Sequence, residues 1–186
     1  MKRTIMAFVT TLVLLGVACA SEDQGKRTSK TRTGQPTVKE MRDRIKSQGA
    51  EAVVNDLFPQ KDTWRSVLDQ ISSGKRDWLQ VALELRKGSD GGASEELNMA
   101  AAEALQKAPA AVLDLLEPGF TIDTLCGNEN TLGDTLAESL RVIEDRRKAV
   151  RGVTEERLEA KKERCLQLLD ELEKEAVKNA DTWFPQ

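Results

Sequence analysis

Apolar residues recur at intervals of three and four along nearly all of the chain after residue 37, which predicts amphipathic helices. Alanine, leucine, glutamate, lysine, glutamine and arginine dominate the same stretch, and all of them favour helices. Turn and capping residues divide the pattern into about eight helices. They cover approximately residues 38–48, 50–58, 63–73, 77–86, 95–105, 110–116, 135–151 and 155–176.

Residues that cap helices set the predicted boundaries. Thr37 has the residue type preferred at a helix N-terminus and Gly49 the type preferred just beyond a C-terminus, so the first helix is bounded by these two residues. The predicted N-caps of later helices are Asp62 or Thr63, Ser94, Asp134 and Thr154. Residues 118–132 form the longest predicted irregular stretch.

The predicted helices are joined by short turns, which favours antiparallel helical hairpins in a compact all-α domain. The third to sixth helices resemble two HEAT-like hairpins stacked side by side. A solenoid needs three or more repeats, so the resemblance is one of shape only.

The first twenty residues have a different pattern. Lys2 and Arg3 precede an uncharged run, residues 5–17, and small residues follow at 18–20. This is the layout of a secretory signal peptide and is too short for a permanent membrane span. We therefore predict a signal peptide at 1–20, a flexible polar tether at 21–37 and a helical domain at 38–186.

The cleavage zone has two interpretations. Cleavage after Ala20 would release the exported chain, whereas residues 15–19 resemble a loose bacterial lipobox in which Cys19 is lipidated. Gly16 stands where that motif usually has leucine. Contact with a membrane is expected only through a lipid on Cys19.

The charge balance argues against nucleic acid as a partner. The chain has 31 acidic and 28 basic residues, a net charge of −3, and the predicted signal removes only basic ones. Phosphate backbones require a basic surface.

Cys126 and Cys165 are the two cysteines beyond the predicted signal. In an exported domain, one disulfide between them is the simplest prediction, worth about 4 kcal/mol in the chain-entropy model. A zinc site is disfavoured because the chain has no histidine, and a redox pair because the spacing is not Cys-x-x-Cys.

The absence of two residue types excludes several kinds of catalytic and metal site. Without histidine there is no Ser-His-Asp triad, Cys-His pair or histidine-ligated metal, and without tyrosine no phenolic acid or base. Glu138-Ser139 matches the first two letters of a lytic transglycosylase motif, but the rest of that motif is missing. We expect Glu138 to face solvent, and we predict no enzyme activity, cofactor or metal.

Two loops are weaker candidates for binding ions. The glycines at 88–94 precede a predicted helix N-terminus and would suit an anion, although a plain turn explains them as well. Asn128, Glu129, Asn130 and Asp134 do not follow an EF-hand spacing.

Two further stretches concern binding to another protein. Trp183 and Phe184 stand beyond the last predicted helix, where they either dock on the domain or anchor a partner. Residues 144–164 alternate in charge, which is typical of a solvated face and also compatible with a partner surface.

Residues 78–82, 88–95 and 104–113, followed by Cys126 and Cys165, resemble a group of small exported proteins of Gram-negative bacteria. The resemblance covers most of the predicted domain. It implies a helical fold and export, and it supplies no functional residues.

The sequence as a whole predicts an exported, non-enzymatic helical protein that binds an unidentified envelope or exported protein. Two alternatives stay open at this point: a structural or accessory envelope lipoprotein, and a toxin-immunity or inhibitor protein. A cell-wall enzyme or small-ligand protein is the least favoured class, since only Glu138 suggests one.

Overall fold

The computed structural model describes residues 35–116 and 119–184, so the predicted signal peptide, Cys19 and nearly all of the tether lie outside the described residues. Ten α-helices and no β-strand occur in the part that is described. They are α1 Val38–Gln48, α2 Ala50–Leu57, α3 Lys61–Ser72, α4 Arg76–Arg86, α5 Gly91–Glu103, α6 Pro109–Leu113, α7 Ile122–Cys126, α8 Leu136–Arg151, α9 Glu159–Lys178 and α10 Ala180–Trp183. The all-α prediction is confirmed, and α7 and α10 are additional to the eight predicted helices.

The boundaries of α1 are those that the sequence predicts. The Glu40 backbone N–H donates to Thr37 Oγ1 at 3.2 Å, and the Thr37 N–H donates to the Glu40 carboxylate at 3.1 Å. This reciprocal pair is a capping box. Gly49 has φ of +86°, which suits glycine and lets the chain turn directly into α2.

The prediction that Ser94 caps the fifth helix is wrong. Helix α5 begins a turn earlier, at Gly91, and the Ser94 N–H donates to the Asp90 carbonyl oxygen at 3.2 Å. The Ser94 hydroxyl is buried and lies 2.9 Å from the Ser89 hydroxyl, so it satisfies a neighbouring side chain instead of a helix end. Residues 91–94 are therefore helix, and the predicted loop 88–94 ends at residue 90.

The other later N-caps also differ from their predictions. Asp62 and Thr63 lie inside α3, because the Trp64 N–H already bonds to the Gln60 carbonyl. Thr135, one residue after Asp134, caps α8 through its hydroxyl. Thr154 caps nothing: a 3₁₀ turn, Glu156–Leu158, leads into α9 instead.

The first six helices pack as stacked hairpins. Helix α3 contacts α5 and α4 contacts α6, as expected when the α3–α4 hairpin lies beside the α5–α6 hairpin, while α1 and α2 pack against α4. The turn after α4 passes directly over the start of α2. A Cβ on Gly88 would lie 2.2 Å from the backbone nitrogen of Glu51, so this position requires glycine.

The C-terminal part is built on α9. Helix α8 packs along α9, and α7 packs against both α5 and α9. The predicted disulfide is present: Cys126 at the end of α7 is bonded to Cys165 of α9, 39 residues later, with Cα atoms 5.4 Å apart. The prediction of irregular structure over 118–132 is partly wrong, because Thr121 and Thr124 form a capping box that starts α7.

The buried apolar side chains form one cluster that extends from Met41 in α1 to Leu172 in α9. Trp64 and Trp78 belong to this cluster and are 1% and 5% exposed. The Trp64 indole N–H donates to the Glu96 carboxylate at 2.6 Å, which satisfies its polar atom. None of the described helices is both long and apolar enough to cross a membrane.

Candidate protein-binding surface

Helix α9 has one buried and one exposed face. Its buried positions repeat at three and four residues: Cys165, Leu168, Leu169, Leu172 and Ala176. The exposed face carries Asp170, Lys174 and Lys178 around Val177, which is 54% exposed. No other large apolar side chain in the described residues is comparably exposed.

Helix α10 follows α9 after Asn179 and packs back against it. Trp183 ends α10, and Phe184 comes next. Both side chains are half-buried, and their rings meet edge to face with centroids 6.3 Å apart. The two aromatic residues are therefore partly docked, and they follow Val177 by six and seven residues in the chain. Lys174, Val177, Lys178, Trp183 and Phe184 are called the C-terminal surface below.

Arg147 of α8 fixes the position of α9 beneath this surface. Its guanidinium is only 7% exposed and pairs with Glu144 on its own helix and with Asp170 and Glu173 on α9. The Nε–H donates to Asp170 Oδ1 at 3.0 Å. Burial alone would lower the pKa of Arg147, but the hydrogen bonds to Glu144 and Glu173 outweigh it and raise that pKa.

Arg146, the preceding residue, is buried without such partners. It is 1% exposed, and its Nη2 donates to the Thr131 carbonyl oxygen at 3.3 Å. Nε and Nη1 have no hydrogen-bond acceptor among the described residues. Burial lowers the pKa of Arg146 to about 10, opposed only by the charge of Glu103. Arg146 is thus an uncompensated buried cation.

The sequence pattern did not indicate that Arg146 and Arg147 are buried. The alternating charges of residues 144–164 predict a solvated face or a partner surface, and Arg146 and Arg147 are instead buried inside the domain. The signal that identifies them is spacing: Ile143 and Val150 are both buried, and the two arginines stand between them at the third and fourth positions of the same helical stripe. Any residue on that stripe points toward the neighbouring helices.

The weaker candidates from the sequence do not converge on a site. Glu138 is exposed in the first turn of α8, and its backbone N–H bonds to Thr135. Asn128 accepts a bond from the Asn130 N–H at 3.1 Å and so closes a local turn. Across residues 35–116 and 119–184, no group of three or more histidine, cysteine, aspartate or glutamate side chains is arranged to hold a metal.

Comparison of the chain with protein-family models, with curated proteins and with solved structures gives no match. The C-terminal surface therefore has to be interpreted from its own chemistry.

Proposed function

We propose that this protein is a non-enzymatic helical module, exported to the cell envelope, that binds another protein through the C-terminal surface. The observation that carries the proposal is Val177, an exposed apolar side chain with charged neighbours and an aromatic pair a few residues away. An apolar centre with aromatic residues and a charged rim is the usual anatomy of a protein interface.

The ion pairs beneath the C-terminal surface favour its use in binding a protein. Asp170 and Glu173 share Arg147 with α8, so the outer face of α9 is held in place before any partner arrives. A preorganised surface binds more tightly because less conformational entropy is lost on association. Tryptophan and phenylalanine also have few rotatable bonds, so ordering Trp183 and Phe184 costs little.

The proposal is tested by photo-crosslinking in living cells, with p-benzoylphenylalanine in place of Val177 in the full chain. A matched control places the same residue at Gln48, which is exposed at the end of α1. We expect one dominant crosslinked protein from position 177 and none from position 48. Replacing Trp183 and Phe184 with serine in the same chain should remove the crosslink.

Identical crosslinking from both positions, or none from position 177, would contradict the proposal. The identity of a captured protein also separates the two binding roles. An exported hydrolase held in a one-to-one complex would identify a toxin-immunity or inhibitor protein, whereas a wall or membrane component would identify an accessory envelope protein.

Export and anchoring belong to the same proposal. The Cys126–Cys165 disulfide is compatible with an oxidising compartment, and the predicted signal supports delivery to one. Metabolic labelling with a fatty acid, with Cys19→Ala as the control, distinguishes a lipid anchor from release. Label that depends on Cys19 indicates the anchored form, and absence of label from an exported chain indicates cleavage after Ala20.

A further inference from the structure

A concave site lies between α7 and the first turns of α9, at the opposite end of α9 from the C-terminal surface. Its volume is about 400 Å³, within the range of sites that hold small molecules. We call it the α7–α9 groove. It is lined by Leu116, Phe120, Thr121, Ile122, Asp123, Ala160, Lys161 and Arg164.

The groove has an apolar floor. Leu116 and Phe120 are 5% and 4% exposed, and Ile122 is half-buried against the same core cluster. Ala160, on the first turn of α9, is exposed and adds only a methyl group to the wall. An apolar chain placed here would lose water contact on one side without displacing a large side chain.

Two cations, Lys161 and Arg164, also line the groove. The Lys161 ammonium donates to the carbonyl oxygens of Leu113 and Leu116 at 3.3 Å each, and both acceptors are neutral. Within the described residues no carboxylate lies in ion-pair contact with Lys161. Asp114, whose charge also interacts with Lys161, is already held by both terminal nitrogens of Arg157.

The Arg164 guanidinium makes only long contacts with its neighbours. Its nearest acceptors are Gln167 at 3.4 Å and Glu171 at 3.5 Å, and Asp123 lies 3.8 Å away. These distances exceed those of good hydrogen bonds, so a closer carboxylate would displace them at little cost. Among the described residues that line the groove, two are cations and one, Asp123, is an acid.

The walls of the groove are fixed. Cys126 and Cys165 join α7 to α9, and the capping box of Thr121 and Thr124 holds the start of α7. A site that does not rearrange on binding retains more of its interaction energy.

We infer that the α7–α9 groove binds an apolar carboxylate, with the hydrocarbon chain over Phe120 and Ile122 and the carboxylate between Lys161 and Arg164. The charge and the apolar floor together favour a medium-chain fatty acid over a neutral lipid. This inference does not depend on the C-terminal surface or on a protein partner.

The test is calorimetric titration of the full-length protein, as isolated from cells, with decanoate below its micellar concentration. We expect one site per chain and binding at least tenfold weaker for decanol. Arg164→Glu should weaken decanoate binding at least tenfold, because it reverses a charge beside the carboxylate. Ala160→Trp should do the same by filling the groove. Lys148→Glu, which changes an exposed cation of α8 outside the groove, is the matched control and should bind as the parent does.

Failure of decanoate to bind would overturn the inference, as would equal binding of decanol or an unchanged affinity in Ala160→Trp. Equal losses in Lys148→Glu and Arg164→Glu would show a general charge effect and would also overturn it. The peptide acetyl-Leu-Leu, which carries an apolar surface and a free carboxylate, distinguishes the other source of this chemistry. If it binds more tightly than decanoate, the groove is a peptide site and the fatty-acid assignment is wrong.

Discussion

Arg146 and Arg147 are consecutive buried residues of α8, but their side chains meet different partners. Arg147 pairs with Glu144 of its own helix and with two carboxylates of α9, Asp170 and Glu173. Arg146 meets one backbone carbonyl and leaves two nitrogens without an acceptor in the described residues. One arginine therefore fastens two helices, whereas the other adds an electrostatic cost to the interior.

The difference shows that a buried charge can either stabilise or destabilise the fold, depending on its partners. Removing one member of a compensated pair leaves its partners without a counter-charge, which destabilises the fold. Replacing an uncompensated buried charge with an apolar side chain of similar size is often neutral or stabilising. Substitutions at these two neighbouring positions should therefore act in opposite directions.

The largest effect is expected at Arg147. Arg147→Leu removes the shared cation and leaves Glu144, Asp170 and Glu173 repelling one another. Because those carboxylates are about half exposed, water compensates in part, and the expected loss is about 2 kcal/mol of unfolding free energy. Urea denaturation measures it, with Arg141→Leu as the control, because Arg141 is an exposed arginine of the same helix. A loss no larger than that of the control would show that the three pairs do not stabilise the domain.

A smaller effect of opposite sign is expected at Arg146. Arg146→Met keeps most of the side-chain volume and removes the buried charge, so the unfolding free energy should rise by about 1 kcal/mol. The same denaturation experiment measures the change. A marked loss of stability would mean that the guanidinium has a partner, such as ordered water or an ion, that compensates its burial.

Glu103 allows a finer comparison, because its charge favours the charged form of Arg146. Glu103→Gln should lower the unfolding free energy by about 0.5 kcal/mol or less, since Glu103 is exposed. In the Arg146→Met protein the same substitution should have no effect. A double-mutant cycle gives the coupling directly, and equal effects in both backgrounds would show that Glu103 does not act on Arg146.

The smallest effect concerns a third arginine, at the surface. Arg157 binds Asp114 through both terminal nitrogens, and this hydrogen bonding lowers the pKa of Asp114 below its ordinary value of 3.8. The resulting stability is present above pH 3.8 and is lost as the pH falls through the lower pKa of the folded state. Asp114→Asn should therefore shift acid unfolding slightly toward neutral pH, and the shift should shrink at high salt. An acid midpoint unchanged at low salt would show that the pair contributes nothing.

The sequence predicted most of this fold, because helix periodicity and cysteine count are strong signals. Thr37 and Gly49 mark the two ends of α1, and two cysteines in an exported domain have one simple pairing. The start of α5 was missed because Ser94 has the residue type of a cap, while its actual bond is to Ser89. Residue type alone does not show whether a serine hydroxyl bonds to the backbone at a helix start or to another side chain.

The candidate surface was predicted only in part. Trp183 and Phe184 stand out in a chain with few aromatic residues, so they were identified from the sequence. The burial of Ala176 implies that Val177 points outward, but no local pattern shows whether another element covers it. The α7–α9 groove was not predicted at all, since Leu116, Ile122 and Lys161 come together only through tertiary packing.

The position of Cys165 in the last long helix has a consequence for how the protein is made. A nascent chain emerges from its N-terminus, so α1 to α6 are available to pack while Cys126 still has no partner. Until α9 emerges, the apolar surfaces of α7 and α8 that it covers stay exposed. Synthesis of α9 therefore completes this packing, and a chain that stops before α9 would present that apolar surface to chaperones and proteases.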